Sequence, residues 1–100
     1  AETQRSPLMP NLPTLAEQGI PNVAVNAWYG VFAPKDTPAA VIDKLNQDIN
    51  AVLQQPDMIA RLKTTWEVPV GGTPQDLARA AKQEYDTTGK VVKEFNITAD

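Results

Sequence analysis

The stretch Val23-Ala24-Val25-Asn26-Ala27-Trp28-Tyr29-Gly30-Val31-Phe32-Ala33 decides how the chain folds. In an extended backbone successive side chains point to opposite sides. Val23, Val25, Ala27, Tyr29 and Val31 therefore share one face, and Ala24, Asn26, Trp28, Gly30 and Phe32 the other. Both faces are largely apolar. A strand of this kind wants cover on both sides, which favours an internal strand of an α/β sheet over a surface hairpin. Pro34 ends it.

Downstream, Thr37-Pro38 reads as a helix start in which Thr37 caps and Pro38 fills the first turn, where a missing amide costs nothing. Val41, Ile42, Leu45, Ile49, Val52 and Leu53 then recur at three- and four-residue spacing, predicting a helix to about Gln54. Pro56 breaks it and opens a second, short helix with Met58, Ile59 and Leu62 apolar. Residues 66–70 read as a doubtful short strand before the turn at Gly71-Gly72. Thr73-Pro74-Gln75-Asp76 repeats the Thr-Pro start with an acid three residues after the cap. The long helix that follows carries Leu77, Ala80, Ala81, Tyr85, Thr88, Val92 and Phe95 on one side, with Gly89 a point where it can bend. Upstream, Thr14-Leu15-Ala16-Glu17 fits a capping box, and Gly19 with Pro21 stops that helix after a turn or two. The proline-bearing lead-in over residues 1–13 has no apolar periodicity and reads as extended or looped.

One convincing strand and one doubtful strand make no stable sheet, since sheets normally need three or more. The missing partners come either from a second copy of the chain or from residues outside these hundred. A single partial domain over residues 1–100 is expected.

The composition is that of a globular domain: 100 residues, 42% hydrophobic, 21% charged. A chain of this size should bury roughly 65% of its unfolded surface, enough for a modest core. Net charge is −3, and the nine Lys and Arg are scattered, so nucleic acid is not an expected partner. No apolar run is long enough to span a bilayer as a helix, and no positively charged start followed by an apolar stretch marks a secretion signal. The chain has no cysteine, which removes disulfides, thiolate nucleophiles and zinc–sulfur sites. It also has no histidine, the commonest general base and transition-metal ligand. No cofactor or metal is expected.

The remaining chemistry is sparse. Gly71-Gly72-Thr73-Pro74 is the nearest match to a phosphate loop, but no lysine follows and Pro74 removes an amide; a structural turn and cap outweighs an anion nest. Glu84 with Asp86, and Asp43 with Asp48, sit two or five apart and diverge around a helix, so they read as solvated charges rather than acid–base pairs. Ser6, the only serine, has no histidine to activate it. Asn96-Ile97-Thr98 matches a glycosylation sequon and is assigned no role. Trp28, Tyr29 and Gly30 are the candidate ligand-binding residues: two aromatic rings with polar handles beside a glycine that permits close backbone approach. Core packing is the competing reading, and Asn26 is the polar neighbour on the Trp28 side.

Taken in order, Arg5-Ser6-Pro7, then Pro13-Thr14-Leu15-Ala16-Glu17-Gln18-Gly19, then Trp28-Tyr29-Gly30-Val31-Phe32-Ala33-Pro34, then Thr37-Pro38 with Ile42-Asp43-Lys44-Leu45-Asn46 resemble a known family. Pro69-Val70-Gly71-Gly72-Thr73-Pro74 and Lys90-Val91-Val92-Lys93 continue the match. The resemblance is to the C-terminal third of the Bug-type solute receptors, the periplasmic substrate-binding proteins of tripartite tricarboxylate transporters. It implies a partial lobe of a bilobal Venus-flytrap fold, helix-rich, whose parent holds small carboxylates between two α/β lobes, works with membrane transporter subunits and is not an enzyme. It also implies that the main ligand-gripping loops lie upstream. Trp66 stands where such receptors usually have glycine, and Thr88 where many have tryptophan. A self-associating module without ligand binding, a homodimer formed by sheet completion, is the alternative.

Overall fold

A computed structural model of the chain describes residues 2–23 and 25–99. Three helices follow one another: α1 (Ala39–Leu53), α2 (Pro56–Thr64) and α3 (Pro74–Glu94). Helix α1 packs against both others.

The helices arise where the sequence offers starts and stops. At α3 the capping box forms as expected: the Asp76 amide donates to the Thr73 hydroxyl at 3.1 Å, and the Thr73 amide donates to the Asp76 carboxylate at 2.8 Å. Pro56 and Pro74 each occupy a first turn, where no amide partner is lost. Gly89 does not interrupt α3. At α1 the expectation fails. The helix takes Pro38 as its N-cap, with no side-chain cap. Thr37 lies one residue too early, and its hydroxyl donates at 2.7 Å to the Pro34 carbonyl, closing the preceding turn.

One device ends three of the helical segments. After residues 14–18, after α2 and after α3, a left-handed residue lets two successive amides fold back on the last turn. The pairs are Gly19→Ala16 with Ile20→Leu15, Trp66→Lys63 with Glu67→Leu62, and Asn96→Lys93 with Ile97→Val92. The pivots are Gly19 (φ +85°), Trp66 (φ +61°) and Asn96 (φ +48°). Glycine enters this region freely and asparagine readily, whereas tryptophan strains to do so. A glycine at the Trp66 position would enter this region without strain. The sequon's Asn96 has a structural role as the pivot after α3.

The N-terminal capping box also forms, with Glu17 amide to Thr14 hydroxyl at 3.2 Å and Thr14 amide to Glu17 carboxylate at 2.8 Å. What it opens is a single turn rather than a helix. Arg5 fastens the lead-in to that turn, its guanidinium bidentate on Glu17 and donating at 3.1 Å to the Pro10 carbonyl. This pairing holds the Glu17 carboxyl at about 2, well below its ordinary 4.5. The Arg5 hydrogen bonds are the largest cause, with the Thr14 amide next.

The strands do not form. Among the described residues no backbone–backbone hydrogen bond reaches residues 26–33, which run extended without a ladder partner. The expected strand includes Ala24, which lies outside the described residues. Residues 67–73 are likewise without a ladder. The physical reason is the one that the strand count anticipates: a ladder needs a second strand, and the described residues contain none.

The expected core is also absent, since no described residue is buried. The accessible surface is 8718 Å², against about 5,600 Å² for a folded monomer of this mass. The radius of gyration is 16.7 Å, against about 13 Å for a compact 100-residue domain. Helix α1 shows why. Ile42, Ile49 and Leu53 are half-buried, while Val41, Leu45 and Val52 of the same apolar set are exposed. Its apolar surface wraps around two sides, and the chain covers only one.

Candidate functional site

Residues 26–33 lie along the first half of α3. Trp28 and Gly30 face the helix, in keeping with the alternation of an extended chain. The indole N–H of Trp28 donates at 2.6 Å to the Glu84 carboxylate. A Cβ added at Gly30 would stand 3.0 Å from Leu77 Cδ1 and 3.2 Å from the rings of Trp28 and Phe32. Gly30 therefore allows the ribbon to approach α3 closely, and its absent side chain serves packing.

Tyr29, between them in sequence, points the other way. It is 87% exposed, against 39% for Trp28. The structure thus separates the three residues singled out from sequence: Trp28 and Gly30 dock the ribbon, and Tyr29 leaves a phenol on the outer face. Neither of two surface hollows takes them in. One, of about 410 Å³, lies between Asn50, Leu53, Ile59 and the segment from Pro69 to Gly72. The other, of about 360 Å³, lies beside Arg5 and Glu17.

The corner at Gly71 and Gly72 is held by two asparagines that sequence reading passed over. Asn46 and Asn50, one turn apart on α1, both donate to the Gly72 carbonyl, at 3.0 and 2.8 Å. Asn50 Oδ1 in turn accepts from the Gly72 amide at 3.2 Å. One side-chain amide thereby pairs with both backbone polar groups of Gly72 and ties the start of α3 to α1. Gly71 has φ +66°, and a Cβ there would sit 2.8 Å from Asn50 Oδ1. The signal in sequence was the polar pair Asn46 and Asn50 inside an apolar stripe, with its partner more than twenty residues away.

This arrangement also disposes of the anion nest. The Gly72 amide is bound to Asn50, and the Thr73 amide to Asp76. The backbone and hydroxyl of Thr73 hold the Asp76 carboxyl below its ordinary range. The helix start already contains its own carboxylate, so an external anion would have to displace it. The carboxylate pairs dissolve in the same way: Asp48 accepts from Lys44, Asp86 from Lys82 and Glu84 from Trp28. Three of the four acids in these pairs are thus engaged by a structural partner.

Comparison with known proteins sets this geometry in context. The family model described as tripartite tricarboxylate transporter family receptor matches residues 1–97. The UPF0065 protein in the tcbD-tcbE intergenic region of Pseudomonas sp. (strain P51) is 39% identical over 97 residues, which are 96% of this chain and 29% of that protein. Protein BugT of Bordetella pertussis is 33% identical over 92 residues, 92% of this chain and 28% of that protein. Among solved structures, R. palustris Rpa4515 with adipate superposes with a TM-score of 0.76 at 34% identity, covering 92% of this chain and 31% of that one. The chain spans less than a third of the length of these three relatives.

Proposed function

Because the chain belongs to the tripartite tricarboxylate transporter receptor family, we propose that it is the C-terminal segment of an extracytoplasmic solute receptor. The parent captures a small organic acid between two closing lobes in the periplasm and presents it to membrane transporter subunits. The carrying observation is the superposition on the structure of R. palustris Rpa4515 with adipate, a six-carbon dicarboxylate, over 92% of this chain but only 31% of that one. No bond is made or broken in this role. No helix among the described residues is long and apolar enough to cross a membrane.

In this reading α3 is a rigid backing for residues 26–33. Trp28 and Gly30 fix the ribbon to α3, and Tyr29 faces the lobe contact or the ligand with its hydroxyl. Carboxylates are taken by backbone amides and helix starts. Within this chain the α3 start is self-capped, and in this reading the main gripping amides belong to the upstream part of the receptor.

The test is a chimera in which this chain replaces the matching C-terminal region of the relative solved with adipate. We expect titration calorimetry to show adipate binding by the chimera, weakened by Tyr29→Ala, and none by the 100-residue chain alone. A folded chimera without affinity, or micromolar affinity in the isolated chain, contradicts the reading.

A further inference from the structure

Glu84 has no local partner on α3 to account for it. Asp86, two residues on, accepts from Lys82, and Asp76 closes the capping box. The residues three and four positions from Glu84 are Ala80, Ala81, Thr87 and Thr88, none of them basic. Its carboxylate accepts instead from the Trp28 indole N–H at 2.6 Å, across 56 residues of sequence. Among the described residues this is the only hydrogen bond made by residues 26–33. The neighbouring contact, Gly30 beside Leu77, is apolar, and apolar contact is non-directional. Alone it would let the ribbon slip. A one-residue slip exchanges the two faces, and a two-residue slip carries each side chain roughly 6.6 Å along α3. Helical spacing puts Leu77, Ala81 and Glu84 on one side of α3. Contacts at Leu77 and Glu84 together therefore fix the ribbon antiparallel to the helix and in one register.

We propose that Glu84 is a positioning residue for ligand binding. By holding the Trp28 indole it sets the register in which Tyr29 presents its phenol on the opposite side of the ribbon. The proposal rests on the receptor reading, in which Tyr29 faces the lobe contact or the ligand. Glu84 lies on the α3 side and acts only through the ribbon. An N–H donating to a carboxylate is a stronger and more directional tie than the apolar contact beside it.

The test is made in the chimera that carries this chain as the C-terminal region of the relative solved with adipate. In titration calorimetry Glu84→Ala should weaken adipate binding about tenfold. Glu84→Gln keeps an acceptor oxygen for the indole and should recover most of that loss. Asp86→Ala, which removes an acid two residues away, should bind as the unsubstituted chimera does. In a Tyr29→Ala background Glu84→Ala should change affinity by less than about twofold, since it acts through Tyr29. A merely stabilising role would give the same loss in both backgrounds. In the 100-residue chain the two tryptophans are Trp28 and Trp66. There the Trp28 indole proton resonance should move toward that of exposed Trp66 with Glu84→Ala and stay in place with Glu84→Gln. Unchanged affinity with Glu84→Ala, no recovery with Glu84→Gln, equal loss with Asp86→Ala, additivity with Tyr29→Ala, or an indole resonance indifferent to Glu84 would each overturn the proposal and leave the receptor reading standing. A folded, unsubstituted chimera that takes no adipate would overturn the receptor reading, and the ligand role of Glu84 with it.

Discussion

Replacing Gly71 by alanine should damage the chain in a way that depends on Asn50. Alanine at φ +66° costs about 1–2 kcal/mol in the left-handed region. Its Cβ would also lie 2.8 Å from Asn50 Oδ1, forcing that side chain off its two bonds to Gly72. Those bonds are solvent-exposed, so together they contribute about 1–2 kcal/mol. Gly71→Ala should therefore cost about 2–4 kcal/mol and Asn50→Ala about 1–2 kcal/mol. With Asn50 already gone the clash has no counterpart, so the double variant should be no worse than Gly71→Ala alone. The coupling is then about 1–2 kcal/mol. Urea titrations of the helical circular dichroism signal at one fixed protein concentration measure all four corners. Additivity within about 0.5 kcal/mol would show that Asn50 and Gly71 do not meet and would refute the clamp.

At the lead-in, Arg5→Ala removes the largest cause of the low Glu17 pKa. The carboxyl should move up from about 2 toward 4.5, stopping short because the Thr14 amide still donates, as NMR titration of its carboxyl carbon would show. In the parent chain a depressed folded pKa means that the Arg5–Glu17 tie is fully present above about pH 4.5 and is lost as pH falls through about 2. Chemical shifts of residues 2–13 should follow that window, and a midpoint near 4.5 would deny the pairing. At Trp66, both Trp66→Gly and Trp66→Ala discard the indole, but only glycine relieves the left-handed strain. The glycine variant should be more stable than the alanine variant by about 1 kcal/mol in thermal unfolding, and equal stabilities would contradict the assigned pivot.

What the sequence made legible was local. The Thr73–Asp76 and Thr14–Glu17 boxes, the proline starts of α2 and α3, and the parity that puts Trp28 and Gly30 on one side all depend on residues within a few positions of each other. Thr37 misled because its hydroxyl has two acceptable uses, and the Pro34 carbonyl wins. The strand over residues 23–33 had the right alternation, but a ladder is a relation between segments, and alternation cannot supply the second one. The apolar stripe of α1 read as a core, yet Val41, Leu45 and Val52 face water because no element covers that side. Asn46 and Asn50 were missed because their partner, Gly72, is set by how α1 meets α3, which no local pattern encodes. At the candidate site the alternation predicted which residues share a side; that α3 takes the Trp28 side and leaves Tyr29 free emerged only from the packing.

The central claim is that residues 26–33 form a ribbon whose ladder partners lie outside a single copy of this chain. Residue-resolved amide hydrogen exchange measures it directly, comparing the dilute 100-residue chain with the receptor chimera. We expect those amides to exchange almost unprotected in the dilute chain and to become strongly protected in the chimera. Strong protection of the same amides in the dilute, monomeric chain would mean that one copy satisfies its own ribbon, and the claim would be wrong.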